Sequence, residues 1–461
     1  MKTLLIRSLL AFSLLTSCPI THAGLDEGLA AYQKRNFATA LKEWRPLAEQ
    51  GNSDAQYNLG LMYTKGQGVP QDFKEAVRWY RLAADQGVAS AQQNLGFMYA
   101  NGRGVPQDFK EAVRWYRLAA DQGHAGAQNN LGAMYNNGLG VPQDFKEAVR
   151  WYRLAADQGD ADAQSNLGAM YANGQGVPQD FKEAVRWFRL AADQGVASAQ
   201  YNLGLMYANG QGVPQDFKEA VRWYRLAANQ GHAGAQNNLG VMYANGQGVP
   251  QDFKEAVRWY RLAADQGVAS AQNNLGVMYD NGQGVPQDFK EAVRWYRSAA
   301  DQGHAGAQNN LGAMFGQAHG VPHLPVLQHA LYNLARAQGN EVAADNLKNL
   351  EPDLTPQEIA DAQALAREMV REMAKPGGLI KALDAYVKAH PAGKPRKISS
   401  APASGPYPAQ PAKRPGVVSC NTNCNNGDCY RTYDSGRKVH FQAKHRYDAL
   451  QGNWIWDAGS C

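Results

Sequence analysis

The segment Val105-Pro106-Gln107-Asp108-Phe109-Lys110-Glu111-Ala112-Val113-Arg114-Trp115 decides the fold, because the chain carries it seven times. Its copies end at Trp79, Trp115, Trp151, Trp187, Trp223, Trp259 and Trp295, a strict period of 36 residues. A fixed period of this length marks stacked supersecondary units, none of which buries its apolar face alone. Such solenoids present surface more often than they perform chemistry.

One unit reads as two helices. Ala91, Leu95, Met98 and Tyr99 recur at i, i+4, i+7 and i+8, the stripe of a first amphipathic helix. Asn101-Gly102-Arg103-Gly104 ends it and Val105-Pro106-Gln107 leads the chain away. Asp108 caps a second helix, with Glu111 three residues on as in a capping box. That helix sets Phe109, Ala112, Val113, Tyr116, Ala119 and Ala120 on one side, and Gly123 suits a left-handed C-terminal cap. Gly96, Ala119 and Ala120 let backbones approach, while Leu95, Trp115 and Tyr116 fill the space between layers. Lys110, Glu111 and Arg114 form a solvated face, and Arg117 and Asp121 stand at i, i+4, where they can pair.

The pattern A-x-x-L-G-x-M-Y-x-x-G-x-G-V-P-x-D-x-x-E-A-V-x-W-Y-x-x-A-A-x-x-G resembles the Sel-one-like repeat family, a relative of the tetratricopeptide repeats. Ala91, Leu95, Gly96, Tyr99, Gly102, Gly104, Val105, Asp108, Ala112, Trp115, Tyr116, Ala119, Ala120 and Gly123 occupy its signature positions. The match covers residues 51–302 in seven copies, with a degenerate eighth over 303–338, where His323-Leu324-Pro325 replaces the Gln-Asp-Phe helix start. The resemblance implies an α/α superhelix of helix-turn-helix repeats that mediates protein–protein interaction, without naming a partner.

The flanks read as follows. Residues 1–23 resemble an export signal, with Lys2 and Arg7, an apolar run from Leu9 to Leu15, and a cleavage site at Thr21-His22-Ala23. Leu15-Thr16-Ser17-Cys18 offers a rival, a lipobox that would anchor the chain in the outer membrane through Cys18. Residues 24–50 form an N-terminal helical cap around Trp44, and 339–375 a C-terminal one. There Thr355 caps a helix with Pro356 in its first turn and Glu358 at its third position. A Pro/Ala/Lys-rich linker is expected over 376–416.

Residues 417–461 change character. Turn pairs at Asn426-Gly427, Ser435-Gly436 and Gly452-Asn453 separate strand patterns at Cys429–Tyr433, Lys438–Ala443 and Trp454–Asp457. A small three-stranded β module follows, cross-linked by Cys420, Cys424, Cys429 and Cys461 in two disulfides of open pairing. Zinc held by these cysteines with His440 or His445 is the alternative. The formal net charge of +5 is unevenly placed: residues 375–461 carry 13 basic against 5 acidic side chains, residues 24–374 carry 31 against 36. Arg431, Arg437, Lys438, Lys444 and Arg446 interleave with aromatic residues and form a candidate surface for a glycan or other anionic surface polymer.

The copies differ chiefly in the first helix. The series Tyr57, Gln93, Asn129, Ser165, Tyr201, Asn237, Asn273 varies, as does Leu61, Phe97, Ala133, Ala169, Leu205, Val241, Val277. The first series is the candidate protein-binding surface. Val88, Val196 and Val268 alternate with His124, His232 and His304, which reads as duplication of two-repeat blocks rather than a metal site. No G-x-S-x-G, H-E-x-x-H or phosphate-binding loop occurs. The expected fold is thus an all-α solenoid with a small disulfide-rich β module. The expected function is an exported, non-enzymatic, monomeric scaffold without cofactor, in the periplasm or secreted, whose module contacts an envelope or host-surface ligand. A lipid-anchored assembly component and a hydrolase with its site in 417–461 are the alternatives.

Overall fold

Each repeat folds as the two helices its pattern dictates, and within each compact unit the apolar face of one repeat is covered by the next. The computed structural model describes residues 20–390 and the backbone of 421–425, 428–432, 438–442, 445–448 and 453–456; side chains are described over 24–390. They fall into two compact units, one of residues 1–163, 175–177 and 420–461, the other of 164–174 and 178–419. The first holds α1 (Ile20–Gln33), α2 (Phe37–Glu49), α3 (Ser53–Lys65), α4 (Phe73–Asp85), α5 (Ala89–Asn101), α6 (Phe109–Asp121), α7 (Ala125–Asn137) and α8 (Phe145–Asp157). After α9 (Ala161–Asn173), the second holds α10 (Phe181–Asp193), α11 (Ala197–Asn209), α12 (Phe217–Asn229), α13 (Ala233–Asn245), α14 (Phe253–Asp265) and α15 (Ala269–Asn281). It continues with α16 (Phe289–Asp301), α17 (Ala305–Gln317), α18 (Pro325–Ala337), α19 (Glu341–Leu350), α20 (Pro356–Glu372) and α21 (Gly378–Ala389). None of the described helices is long and apolar enough to cross a membrane.

Local chemistry sets the ends of each helix. Asp108 accepts the backbone N–H groups of Lys110 and Glu111 at 2.9 and 3.1 Å, satisfying donors that the first turn leaves free. The reciprocal half of the expected capping box does not form there, because Arg114 draws the Glu111 carboxylate away at 3.2 Å. A full box does close α20, through Thr355 and Glu358. The expected Arg117–Asp121 pair gives way as well: the Arg117 guanidinium donates to the Tyr135 hydroxyl on α7, so the arginine joins two repeats.

Close approach explains two glycines. At Gly96 a Cβ would lie 2.8 Å from the Tyr116 ring, so the paired helices of one repeat meet where no side chain intervenes. Gly104 has φ +72, and its Cβ would meet the Phe73 carbonyl oxygen at 2.2 Å. The loop after α5 therefore crosses the start of α4 at backbone contact. The core lies between repeats: Ala112, Val113, Tyr116, Ala119 and Ala120 of α6 pack with Ala127, Leu131 and Met134 of α7, and Trp151 of α8 closes the cluster.

A polar relay runs beside this core. Gln122 donates to Gln92 at 2.7 Å, and Gln92, almost fully buried, donates to the Ala84 carbonyl at 3.1 Å. Gln92 thus ties the C-terminal ends of α4 and α6. The same arrangement recurs in the second unit, where Gln266 donates to Gln236 and Gln236 to the Ala228 carbonyl.

The C-terminal end departs from expectation. The linker foreseen from residue 376 begins instead with α21, whose Leu379 and Leu383 are fully buried. Its amphipathic spacing lies inside a Pro/Ala/Lys-rich stretch, and Asp301 stabilises its start by accepting from the N–H groups of Gly377, Leu379 and Ile380. Farther on, the backbone pairs β1 (Asn421–Asn425), β2 (Asp428–Thr432) and β3 (Lys438–Gln442) in one antiparallel ladder, and β4 (His445–Asp448) with β5 (Asn453–Trp456) in another. Two ladders replace the single three-stranded sheet, since Asn421–Asn425 adds a strand and the Trp454 segment pairs with β4. The cysteine side chains and those of Arg431, Arg437, Lys438, Lys444 and Arg446 lie outside the described residues, as do 1–19 with Cys18. Among the described residues the solenoid contains no strand.

Two outcomes test this packing. Gly123 has φ +88 with open space around it, so Gly123→Ala costs only the left-handed strain, about 1–2 kcal/mol. Gly104→Ala adds a backbone clash and should lower the urea midpoint clearly more. Gln236→Leu removes the bonds to Gln266 and to the Ala228 carbonyl, but that carbonyl keeps the Gly231 N–H and the exposed Gln266 amide keeps the Leu262 carbonyl, so the cost in the same titration should be about 0.5–1.5 kcal/mol.

Candidate functional site

The variable first-helix series lies along the joints between repeats. Asn129 and Ser165 are buried, while Tyr57, Gln93, Tyr201, Asn237 and Asn273 are half-buried. Their contacts are with neighbouring elements. Asn274 donates to Asn237 at 3.2 Å, Asn310 to Asn273 at 3.1 Å, and the Ser165 and Ser198 hydroxyls meet at 3.3 Å. The Tyr57 ring tilts against Tyr80 at 6.1 Å, and Tyr201 stacks on His232 at 4.5 Å. These positions vary because each joint can be closed by several polar or aromatic pairs. The second variable series, from Leu61 to Val277, is half-buried throughout.

The histidines have a structural task that their alternation with valine conceals. His124, His232 and His304 are the N-caps of α7, α13 and α17, each taking a backbone N–H on Nδ1 three residues on. Val88, Val196 and Val268 occupy the same position with no side-chain cap. Burial lowers the pKa of all three histidines, that of His232 to about 4. A neutral ring is what the cap needs, because only an unprotonated Nδ1 accepts a hydrogen bond.

The second helices carry a face that sequence reading took as merely solvated. On α12, Lys218, Arg222, Arg225 and Leu226 are exposed beside Glu219, and Arg222 pairs with Glu219 at 3.2 Å. The Arg222 guanidinium also lies over the Trp223 ring, 5.0 Å from its centroid, joining this face to the core. Arg225 donates to the Tyr243 hydroxyl at 2.7 Å. Leu226 is 40% exposed, and Leu190 and Leu262 at the same place on α10 and α14 are each 41% exposed. Beside Leu226 a groove of about 480 Å³ opens between Val221 and Arg225 on one side and Gly248 and Val249 on the other. The missed signal was a leucine recurring every 36 residues opposite the buried stripe.

Similarity to known proteins agrees with this architecture. A family model described as Sel1 repeat matches eight consecutive segments, 53–88, 89–124, 125–160, 161–196, 197–232, 233–268, 269–304 and 305–340. A Sel1 repeat protein from Oxalobacter formigenes is 35% identical at a TM-score of 0.50, over 52% of this chain and 96% of that one. A protective antigen of uropathogenic Escherichia coli, c5321, with an SLR fold, is 31% identical at a TM-score of 0.43, over 82% of this chain and 97% of that one. No curated protein matches the chain.

The capping histidines set an acid limit. The unfolded chain takes up protons near pH 6.5, whereas folded His232 resists until about 4. Its contribution is therefore complete above 6.5 and is lost as pH falls toward 4, on the order of 3 kcal/mol at the lower limit. Hydrogen exchange of the α13 amides should accelerate over that window, and His232→Asn, which keeps a cap, should flatten the dependence.

Proposed function

Because the chain belongs to the Sel1 repeat family, we propose that it is an exported scaffold for protein–protein interaction. The observation that carries this reading is the repetition of one outward side-chain set, charged residues around an exposed leucine, at a fixed spacing along the second helices. Repeats whose cores are closed by their neighbours leave such faces available for recognition. The half-buried first-helix residues Tyr57, Gln93, Tyr201, Asn237 and Asn273 supply a variable polar edge, while Asn129 is buried and Ser165 meets Ser198 at a joint.

Export rests on residues 1–23, with release after Ala23 as the main form and acylation at Cys18 as the anchored one. In an oxidising compartment the four C-terminal cysteines close two disulfides. The β1–β2 register sets Cys424 opposite Cys429, which favours that pair and leaves Cys420 for Cys461. The module then offers Arg431, Arg437, Lys438, Lys444 and Arg446 to an anionic glycan or polymer of the envelope or a host surface.

Cross-linking capture from the native envelope tests the scaffold, comparing the exported chain with one ending at Gly416. The same protein partner should appear with both; capture lost on truncation would move recognition to the module. Mapping the mature N-terminus should find Gly24, and an acylated Cys18 would establish the anchored form. Peptide mapping under non-reducing conditions should show Cys424 joined to Cys429.

A further inference from the structure

The chain covers its own terminal repeats with helices, and the manner of covering identifies what the uncovered repeats can accept. The leucine row Leu190, Leu226, Leu262 continues, at the same spacing, to Ser298 on α16 and Leu334 on α18. Leu334 is only 4% exposed, because it packs in one cluster with Leu365, Ala366 and Met369 of α20. On α18 the sequence has adapted to this cover. Leu327 and Ala330, both fully buried, stand where α16 has Glu291 and Arg294.

On α16 the cover is α21, and its contacts are polar at two points. Asp301, the last residue of α16, receives the backbone N–H groups at the start of α21 at 3.0–3.3 Å. One turn earlier on α16, Arg297 pairs with Asp384, seven residues beyond Gly377, so α21 runs antiparallel to α16. Arg297 is free to do this because the tyrosine that receives its counterparts Arg225 and Arg261 is here Phe315, which has no hydroxyl. The site is therefore a modified copy of a face that every repeat carries.

Repeats four to six keep the same parts uncovered. At the place of Asp301 they present Asp193, Asn229 and Asp265, all capable of capping a helix start. The places of Arg297 hold Arg189, Arg225 and Arg261, and each tyrosine contact uses one of five guanidinium donors. Between them stands the exposed leucine. On α12 three cations face a single carboxylate, Glu219, which is already paired.

We infer that the face bearing Leu190, Leu226 and Leu262 docks an acidic amphipathic helix of a partner protein, seated as α21 is seated on α16. The partner helix begins at the capping residue, lays apolar side chains on the leucine, and places a carboxylate about two turns on against the arginine. This is helix-in-groove recognition on the second helices. It deepens the scaffold reading by giving the partner's chemistry.

The test titrates the full chain with a fluorescein-labelled, stapled helix spanning 377–389 and carrying Lys381→Glu and Lys388→Glu. A second probe with Lys at those positions and Asp384→Lys is the charge-reversed control. The acidic probe should bind to saturation, the control at least about tenfold more weakly. The same exposed leucine stands at 82, 118 and 154, so a serine variant combining Leu82→Ser, Leu118→Ser, Leu154→Ser, Leu190→Ser, Leu226→Ser and Leu262→Ser should weaken the acidic probe at least about tenfold and leave the melting curve in place, as serine already stands at 298. Equal binding of both probes, no saturation, or unchanged affinity in the folded serine variant would overturn the inference. Envelope capture separates it from the scaffold reading. A partner captured equally by wild type and the serine variant keeps the scaffold and overturns this face. Loss of all capture while the probe titration holds removes the scaffold reading and leaves the face.

Discussion

The stack depends on a buried glutamine that holds two repeats at once. Gln92 receives Gln122 of its own repeat and gives its amide to the Ala84 carbonyl at the end of the preceding second helix. The Ala84 carbonyl already accepts the Gly87 N–H at 2.9 Å, and the Gln92 amide takes its remaining acceptor capacity. The glutamine adds that bond from a neighbouring helix, so the spacing between repeats is fixed by hydrogen bonds as well as by contact. Apolar packing alone tolerates sliding, whereas a donor and an acceptor at 2.7 and 3.1 Å do not.

Small residues then become a requirement. With second helices held at one spacing, the loop after each first helix must cross the start of the preceding second helix, and only glycine fits at Gly104. Tyr116 lies flat against Gly96 for the same reason. The near identity of the copies follows, since every unit must match both neighbours. Variation is tolerated at joints such as Asn237–Asn274 and Ser165–Ser198, where one polar pair can replace another without changing the spacing.

The helices, caps and glycine turns were legible because they are local: Asp108 precedes an apolar stripe, and Gly123 follows it. What escaped was decided by partners distant in sequence. Arg117 has Asp121 within one turn, yet the hydroxyl of Tyr135 on the next repeat takes it. The histidines at 124, 232 and 304 looked like a record of duplication, and their capping task appears only when Nδ1 is seen against a backbone N–H. α21 was hidden by composition, because Leu379 and Leu383 sit in a stretch whose average resembles a linker.

The variable residues expected at the binding surface also line joints, and this double placement has a physical basis in repeat proteins. A joint needs only mutual fit between two neighbours, so it can drift in pairs. A face that must present the same geometry at every step cannot drift without losing its periodicity. Exposed leucine costs solubility and contributes little to a core that is already closed. The leucine at 190, 226 and 262 is replaced by serine on α16, the helix that seats α21, so this side chain is absent where the chain supplies its own cover.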